Sequence, residues 1–99
     1  MLVILTCGAL FGQTARADSI GGLTVLRIFS EGTGGGGFYP KEPIPMCKWG
    51  LMYVDFQSPA GRAKLALLMQ AKAQGLLLQR VDYVVNLDST CSATAIHIE

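Results

Sequence analysis

The sequence predicts a small α+β fold that is mostly β: a five-stranded OB-like Greek-key barrel with one helix between strands three and four. Three observations carry this prediction. Short runs of β-branched and aromatic residues alternate with turn-forming residues. One run has the start and stop residues of a helix, and two cysteines bracket it. A closed barrel hides strand edges that aggregate when exposed, whereas the alternative, a flat open sheet with one helix, leaves them free.

The composition limits the chain to one small domain of high apolar content. Of its 99 residues 51% are hydrophobic and 15% are charged, against about 25% charged in an average globular protein. This balance argues against intrinsic disorder. The 8 basic and 7 acidic residues leave no excess positive charge to hold a polyphosphate backbone, so nucleic acid is not an expected partner.

The chain opens on MLVILTCGAL, an apolar run too short to span a bilayer, which needs about 20 residues. Residues 15–17 read Ala-Arg-Ala, the small-x-small pattern that signal peptidase cleaves. We therefore expect residues 1–17 to be a signal peptide and residues 18–99 to be a secreted or periplasmic domain without a membrane span. The alternatives are a buried first strand and, less favoured, a lipoprotein modified at Cys7.

Cys47 and Cys91 remain as an even pair once Cys7 leaves with the signal peptide, and cysteines of exported chains pair. We predict a disulfide bond between them. It closes a loop of about 45 residues and contributes roughly 4 kcal/mol in the chain-entropy account. The chain has no C-x-x-C motif, and a single histidine with two isolated cysteines is fewer than the usual four zinc ligands, so we expect no metal.

Three segments precede the helix. Residues 23–29, LTVLRIF, are predicted as strand one. The stretch TGGGGFYPKEPIP holds four successive glycines and three prolines, which predicts a mobile loop with a short edge strand at Phe38 and Tyr39. The run KWGLMYVDF after Cys47 is apolar on both faces, as in a central strand covered on both sides, or in a strand with one face on another subunit.

The helix is predicted over residues 59–74. Ser58 can accept a hydrogen bond from a free N–H at the helix start, and Pro59 fits the first helical position. Gly75 supplies the left-handed residue that ends many helices. The charged side chains of the helix point in three directions, so its leucine side chains cannot all face one core. Self-association would cover the remaining apolar surface, and a homo-oligomer is expected.

Two strands are predicted after the helix. Residues 76–87 alternate apolar and polar side chains, which indicates a half-exposed strand. Residues 88–90 form a turn, and residues 95–99 make a short last strand with Ile96 and Ile98 on one face. The alternation makes His97 an outward-facing residue of that strand.

A longer pattern supports a resemblance. The run CKWGLMYVDFQSPAGRAKLALLMQAKAQG, followed by a strand and a second cysteine, resembles small secreted bacterial domains related to the B subunits of subtilase-cytotoxin-like and pertussis-like AB5 toxins. The resemblance covers about half of the chain. The pattern between the two cysteines consists of Asp55, Ser58-Pro59-Ala60-Gly61, Ala63, Ala71-Lys72-Ala73 and Gly75. It implies an OB fold, ring-shaped pentamers with helices lining the centre, and sugar recognition on the outer side of the barrel. No site residue is carried over from those subunits.

Catalytic and cofactor motifs are weak. Gly32, Gly34 and Gly37 satisfy G-x-G-x-x-G, but Phe38-Tyr39-Pro40 follows where a phosphate cradle requires a helix start. No cofactor is therefore expected. His97 has no G-x-S-x-G nucleophile to serve, and the acidic residues show no spacing that would pair two carboxylates. We expect that the chain is not an enzyme.

Aromatic side chains are the candidate ligand-binding residues, because flat apolar rings stack on sugar rings. Phe38 and Tyr53 belong to this set, and the candidates carried forward are Tyr39, Trp49 and Tyr83. Core packing is the alternative, and it is favoured for Trp49 and Tyr53.

The expected function is that of a non-catalytic secreted binding module, glycan-binding like the toxin B subunits and self-associating. The alternative is a periplasmic structural or inhibitor-like domain. Such a domain would contact a partner protein through its apolar helix or through residues 34–45.

Overall fold

The computed structural model describes residues 16–32 and 34–99, and most of the predicted signal peptide, residues 1–15, lies outside them. The described residues form one mixed six-stranded sheet with a single α-helix packed against it, which confirms the α+β, mostly-β prediction. The strands are β1 (Arg16–Ile20), β2 (Val25–Glu31), β3 (Gly35–Pro40), β4 (Met52–Asp55), β5 (Leu78–Val85) and β6 (Cys91–Ile98); the helix is α1 (Pro59–Gln74).

The helix has the predicted bounds. Ser58 Oγ accepts a hydrogen bond of 2.9 Å from the N–H of Gly61. At the other end Gly75 is left-handed, with φ of 69°, and its N–H donates to the carbonyl of Ala71. A side chain at Gly61 would collide with the carbonyl oxygen of Asp55, so glycine lets the first turn pack against the end of β4. In the described part of the chain no helix is both long and apolar enough to cross a membrane.

The strands lie in the order β1-β5-β6-β4-β3-β2, and each neighbouring pair is antiparallel except β4 and β6. Across the described strands, no ladder joins the edge strands β1 and β2 to each other. The sheet is therefore open, and the OB-like barrel is not confirmed.

The two edges are nevertheless tied by a short connection, residues 21–24. Leu23 within it forms an isolated antiparallel bridge to Leu78, whose N–H donates to the Leu23 carbonyl at 2.8 Å. The five residue steps from Ile20 to Val25 span at most about 18 Å. The edges of a flat six-stranded sheet lie about 24 Å apart. The sheet must therefore curl strongly.

The described residues form six strands where the sequence predicts five, and β1 is the additional one. All but the last of its residues are exposed, so it has no apolar alternation that predicts a strand. Its order comes from backbone pairing with β5, in which Arg16 lies opposite Val85 and Ala17 opposite Val84. The predicted cleavage before Asp18 would remove these two pairs.

The predicted mobile loop is wrong for the glycines, because Gly35, Gly36 and Gly37 belong to β3, which lies between β2 and β4 and is not an edge strand. The reason is steric. A side chain on Gly36 would collide with the carbonyl of Phe29, and one on Gly37 with the carbonyl of Met52. Glycine at these positions permits close approach of neighbouring strands.

The long strand predicted after Cys47 is also wrong in its first half. A 3-10 turn occupies Lys48–Gly50, and β4 begins at Met52. Trp49 and Gly50 have left-handed backbones, with φ of 63° and 68°, which extended structure does not allow.

The last strand starts at Cys91, earlier than the predicted residue 95. Its first residues are small, so they present little apolar pattern, although Cys91 and Ala93 both face the core. The strand before it, β5, is shorter at both ends than the predicted residues 76–87.

The core lies between the inner face of the sheet and α1. Its fully buried large side chains are Phe38, Leu23, Ile44, Met52, Leu68, Leu78, Val81 and Cys91. The predicted disulfide bond between Cys47 and Cys91 is confirmed, with a Cα–Cα distance of 5.3 Å. It joins the turn before β4 to the start of β6, the strand that pairs with β4.

Candidate binding face

Strands β2, β3 and β4 present a surface opposite to the core, here called the outer face. Paired residues of neighbouring strands point to the same side of a sheet, and successive residues alternate between sides. The register places three rows on the outer face, away from buried Phe38 and Met52. The rows are Arg27 and Tyr39; Phe29, Gly37 and Tyr53; and Glu31, Gly35 and Asp55.

Three rings on this face form an aromatic cluster, with Phe29 in the middle. Its ring centre lies 5.4 Å from that of Tyr39 and 6.0 Å from that of Tyr53, the second pair being edge-to-face. These are favourable separations for aromatic pairs. The guanidinium of Arg27 lies 5.0 Å from the Tyr39 ring centre, in cation–π range. All three rings are half-buried, so part of each faces solvent.

A groove of about 440 Å³ opens beside the cluster. Its lining includes residues 34–36, Tyr53, Asp55 and Ser92. The groove is open at Gly35, where the strand carries no side chain, and between β4 and β6, whose pairing ends at Tyr53 and Ser92. The side chain of Gln57 packs against Gly34 and forms part of the lining. Tyr53 belongs to both the groove and the aromatic cluster. The volume falls within the range of about 300–1,000 Å³ that is typical of small-molecule sites.

Polar side chains lie in and beside the groove. The pKa of the Tyr53 hydroxyl is raised by desolvation and further by the negative charges of Glu31 and Asp88. Tyr53 is therefore a neutral hydroxyl at neutral pH, able to donate and accept hydrogen bonds. The Asn86 amide donates a hydrogen bond of 3.0 Å to Ser92 Oγ and orients that hydroxyl at the groove wall.

The structure separates the three predicted binding residues. Tyr39 is part of the aromatic cluster. Trp49 lies on the 3-10 turn before β4 and is 63% exposed, so the core packing favoured for it is wrong. Lys48 Nζ lies 4.7 Å from its ring centre. Tyr83 is buried in the core, and desolvation raises its pKa. Among the described residues no ring contact joins Trp49 or Tyr83 to Tyr39.

The sequence analysis does not select Phe29 as a binding residue, and it favours core packing for Tyr53. The pattern that identifies Phe29 is its alternation with two charged residues, Arg27 and Glu31, which is typical of the solvent side of a strand. No comparable pattern identifies Tyr53, because its exposure depends on the glycines opposite it in β3.

The other sequence motifs stay apart from this face. Gly37 of the G-x-G-x-x-G motif lies within β3 and not at a helix start. His97 is exposed in β6, as the alternation predicted. Within residues 16–32 and 34–99, no three His, Cys, Asp or Glu side chains lie close enough together to hold a metal ion.

Comparisons of the chain with protein-family models, with curated proteins and with solved structures give no match. The resemblance to toxin B subunits therefore stays a prediction from the sequence.

Proposed function

We propose that the chain is a non-catalytic, exported binding module whose outer face takes a glycan. The observation that carries the proposal is the aromatic cluster beside a groove whose lining includes glycines. Sugar rings have flat apolar faces and polar edges, which match exposed aromatic rings flanked by hydrogen-bonding groups.

Each part of the outer face has a role in this proposal. Phe29 and Tyr53 supply the stacking surface, since their rings are in contact and partly open to solvent. The Tyr53 hydroxyl and Ser92 supply neutral hydrogen-bonding groups at the groove. Gly35 leaves the backbone bare, so a ligand can approach the strand closely.

Export is supported by the disulfide bond, because such bonds persist in oxidising compartments. The small-x-small pattern at residues 15–17 supports a signal peptide ahead of the domain.

An OB-like barrel is supported by the curl of the sheet. β1 and β2 are edge strands of the sheet and yet consecutive in the chain, with Leu23 between them bound to Leu78. Together they act as one bent strand that reaches both edges. The helix follows β4, which is the third strand once β1 and β2 count as one, as in the predicted order.

Self-association is supported by exposed apolar residues on α1 and β2. Met69 is 56% exposed and Leu26 48% exposed. Met69 lies one turn before Lys72, whose Nζ donates to the Leu26 carbonyl at 2.9 Å, so both residues lie on the same flank of the domain. A second copy of the chain would bury them.

Light scattering after size-exclusion chromatography tests this arrangement on the oxidised domain. We expect an oligomer, and we expect Met69→Glu to shift it toward monomer because a carboxylate cannot be buried without a partner. Gln70→Glu adds the same charge on the neighbouring residue and is the control. A strictly monomeric unaltered chain would exclude self-association.

A second candidate function, contact with a partner protein, is favoured by an apolar tip formed by Met46, Trp49 and Leu87. Leu87 is 79% exposed and Trp49 63% exposed. The Lys48 N–H donates to the Ser89 carbonyl at 2.8 Å, which holds the two turns of the tip together. Large apolar side chains that are exposed on neighbouring turns are typical of protein contact sites.

Substitutions on the two surfaces distinguish the candidates. On an array of neutral, sialylated and amino sugars, Phe29→Ala and Tyr53→Ala should each weaken binding roughly tenfold, because each removes a stacking ring worth about 1.5 kcal/mol. Trp49→Ala is the matched control, since it removes an exposed ring from the tip. Absence of binding across the array contradicts the glycan proposal. Loss with Trp49→Ala alone moves the site to the tip.

A further inference from the structure

Two carboxylates flank the bare end of the outer face. Glu31 and Asp55 both lie opposite Gly35, one on each neighbouring strand. Since adjacent strands lie about 4.8 Å apart, the two backbones lie about 10 Å from each other, and Gly35 between them carries no side chain. The row of Phe29 and Tyr53 is two residues away along the strands, about 7 Å. The carboxylates therefore border the stacking surface.

A third carboxylate, Asp88, adds negative charge near the Tyr53 hydroxyl. Its charge, like that of Glu31, reaches the Tyr53 hydroxyl. Hydrogen bonds from the Thr90 side chain and N–H lower the pKa of Asp88, which keeps it ionised at neutral pH.

Among the described residues, no lysine or arginine forms an ion pair with Glu31, Asp55 or Asp88. Arg27 lies at the opposite end of the outer face, over Tyr39, and Lys48 lies over Trp49 at the tip, where its charge reaches Asp88. The ion pair found among the described residues joins Arg80 and Asp82. Glu31 and Asp55 are thus carboxylates without an ion-pair partner in the described part of the chain, beside the half-buried rings of Phe29 and Tyr53.

From this arrangement we propose that the outer face selects glycans that carry a protonated amine. The inference rests on the proposed function and specifies its ligand class: oligosaccharides of amino sugars, stacked on Phe29 and Tyr53 with an ammonium group between Glu31 and Asp55. Aromatic faces and carboxylates both attract cations, and a concave site lined by one sign of charge concentrates its field. Sugars with carboxylate groups are repelled from the same end.

Titration calorimetry with the oxidised domain tests the selection with three probes: a glucosamine tetramer, the same tetramer fully N-acetylated, and a galacturonate tetramer. The acetylated probe keeps the ring and loses the charge. We expect the glucosamine tetramer to bind roughly ten- to a hundredfold more tightly than the acetylated one, as is typical of a hydrogen bond between charged groups. The galacturonate tetramer should bind most weakly. The preference should shrink at high salt.

Charge-removing variants assign the preference to the proposed residues. Glu31→Gln and Asp55→Asn should each reduce the ratio of the affinity for the glucosamine tetramer to the affinity for the acetylated tetramer. Glu99→Gln removes one negative charge from an exposed residue beyond β6 and is the control for net charge. Thermal unfolding of each variant verifies that it folds.

The outcomes separate the two proposals. Failure of all three probes to bind overturns the amine selection, whereas absence of binding across the whole sugar array contradicts the proposed glycan function itself. Equal or tighter binding of the acetylated or galacturonate tetramer leaves that function in place and overturns the amine selection. An undiminished preference in both Glu31→Gln and Asp55→Asn also overturns it.

Discussion

Removing the disulfide bond, by replacing Cys47 and Cys91 with alanine, is expected to lower the free energy of unfolding by about 2–5 kcal/mol. The two cysteines are 44 residues apart in the chain, so the bond removes much of the freedom of the unfolded state. It also supports a weak point of the sheet, since β4 and β6 pair at two positions. The total stability of a domain of this size is about 5–15 kcal/mol, so the loss is a large fraction of it.

Urea unfolding of three samples measures this loss: the oxidised chain, the chain reduced with a phosphine, and the double alanine variant. The reduced chain and the variant should show similar midpoints, well below that of the oxidised chain. A midpoint in the variant equal to that of the oxidised chain would show that the bond does not support the fold. Free, titratable thiols in natively purified protein would contradict both the bond and the proposed export.

Phe38→Ala is expected to lower the free energy of unfolding by about 3–5 kcal/mol, the usual cost of truncating a buried phenylalanine. Phe38 has no solvent exposure and lies between Ile28 and Met52 in the sheet. Phe29→Ala is the matched comparison, since Phe29 lies on β2 with its ring on the outer face. Its loss should cost about 1 kcal/mol, mostly from the two ring contacts.

Denaturant unfolding of the two variants checks which face of the sheet is the core. Phe38→Ala should be much less stable than Phe29→Ala, whereas only Phe29→Ala should combine near-normal stability with weakened ligand binding. Equal losses of stability would mean that both rings are core residues. In that case the outer face would not be a solvent-exposed surface.

Local chemistry explains why parts of the fold were predictable. The helix bounds follow from Ser58, Pro59 and Gly75, each of which acts on the backbone within one turn. The disulfide bond follows from an even count of cysteines after the predicted leader. These features need no knowledge of the tertiary structure.

Other parts of the fold depend on tertiary contacts that the local sequence does not reveal. β1 is held by backbone pairing with β5, and its exposed side chains carry no pattern. The glycines of β3 resemble a loop in the sequence, but in the fold Met52 and Phe29 crowd them. The left-handed backbone of Trp49 breaks an apolar run that otherwise reads as strand.

The residues of the candidate site also differ in how far the sequence predicts them. Tyr39 was predicted from its ring and its place in the glycine- and proline-rich stretch, and Phe29 could have been predicted from its charged neighbours along β2. Tyr53 required the register, because only the pairing of Gly37 with both Phe29 and Tyr53 brings the two rings together. Tyr83 was misplaced although the alternation of β5 puts it on the apolar face with Val81, which is the face that is buried.

The most direct test of the outer face as a binding surface is ¹⁵N chemical-shift mapping of the oxidised domain during titration with the glucosamine tetramer. The account predicts that the largest shifts fall on amides of β2, β3 and β4, centred on Phe29, Gly35, Gly37 and Tyr53. Shifts concentrated at Trp49 and in the turn at residues 86–90, with the outer face unchanged, would contradict it.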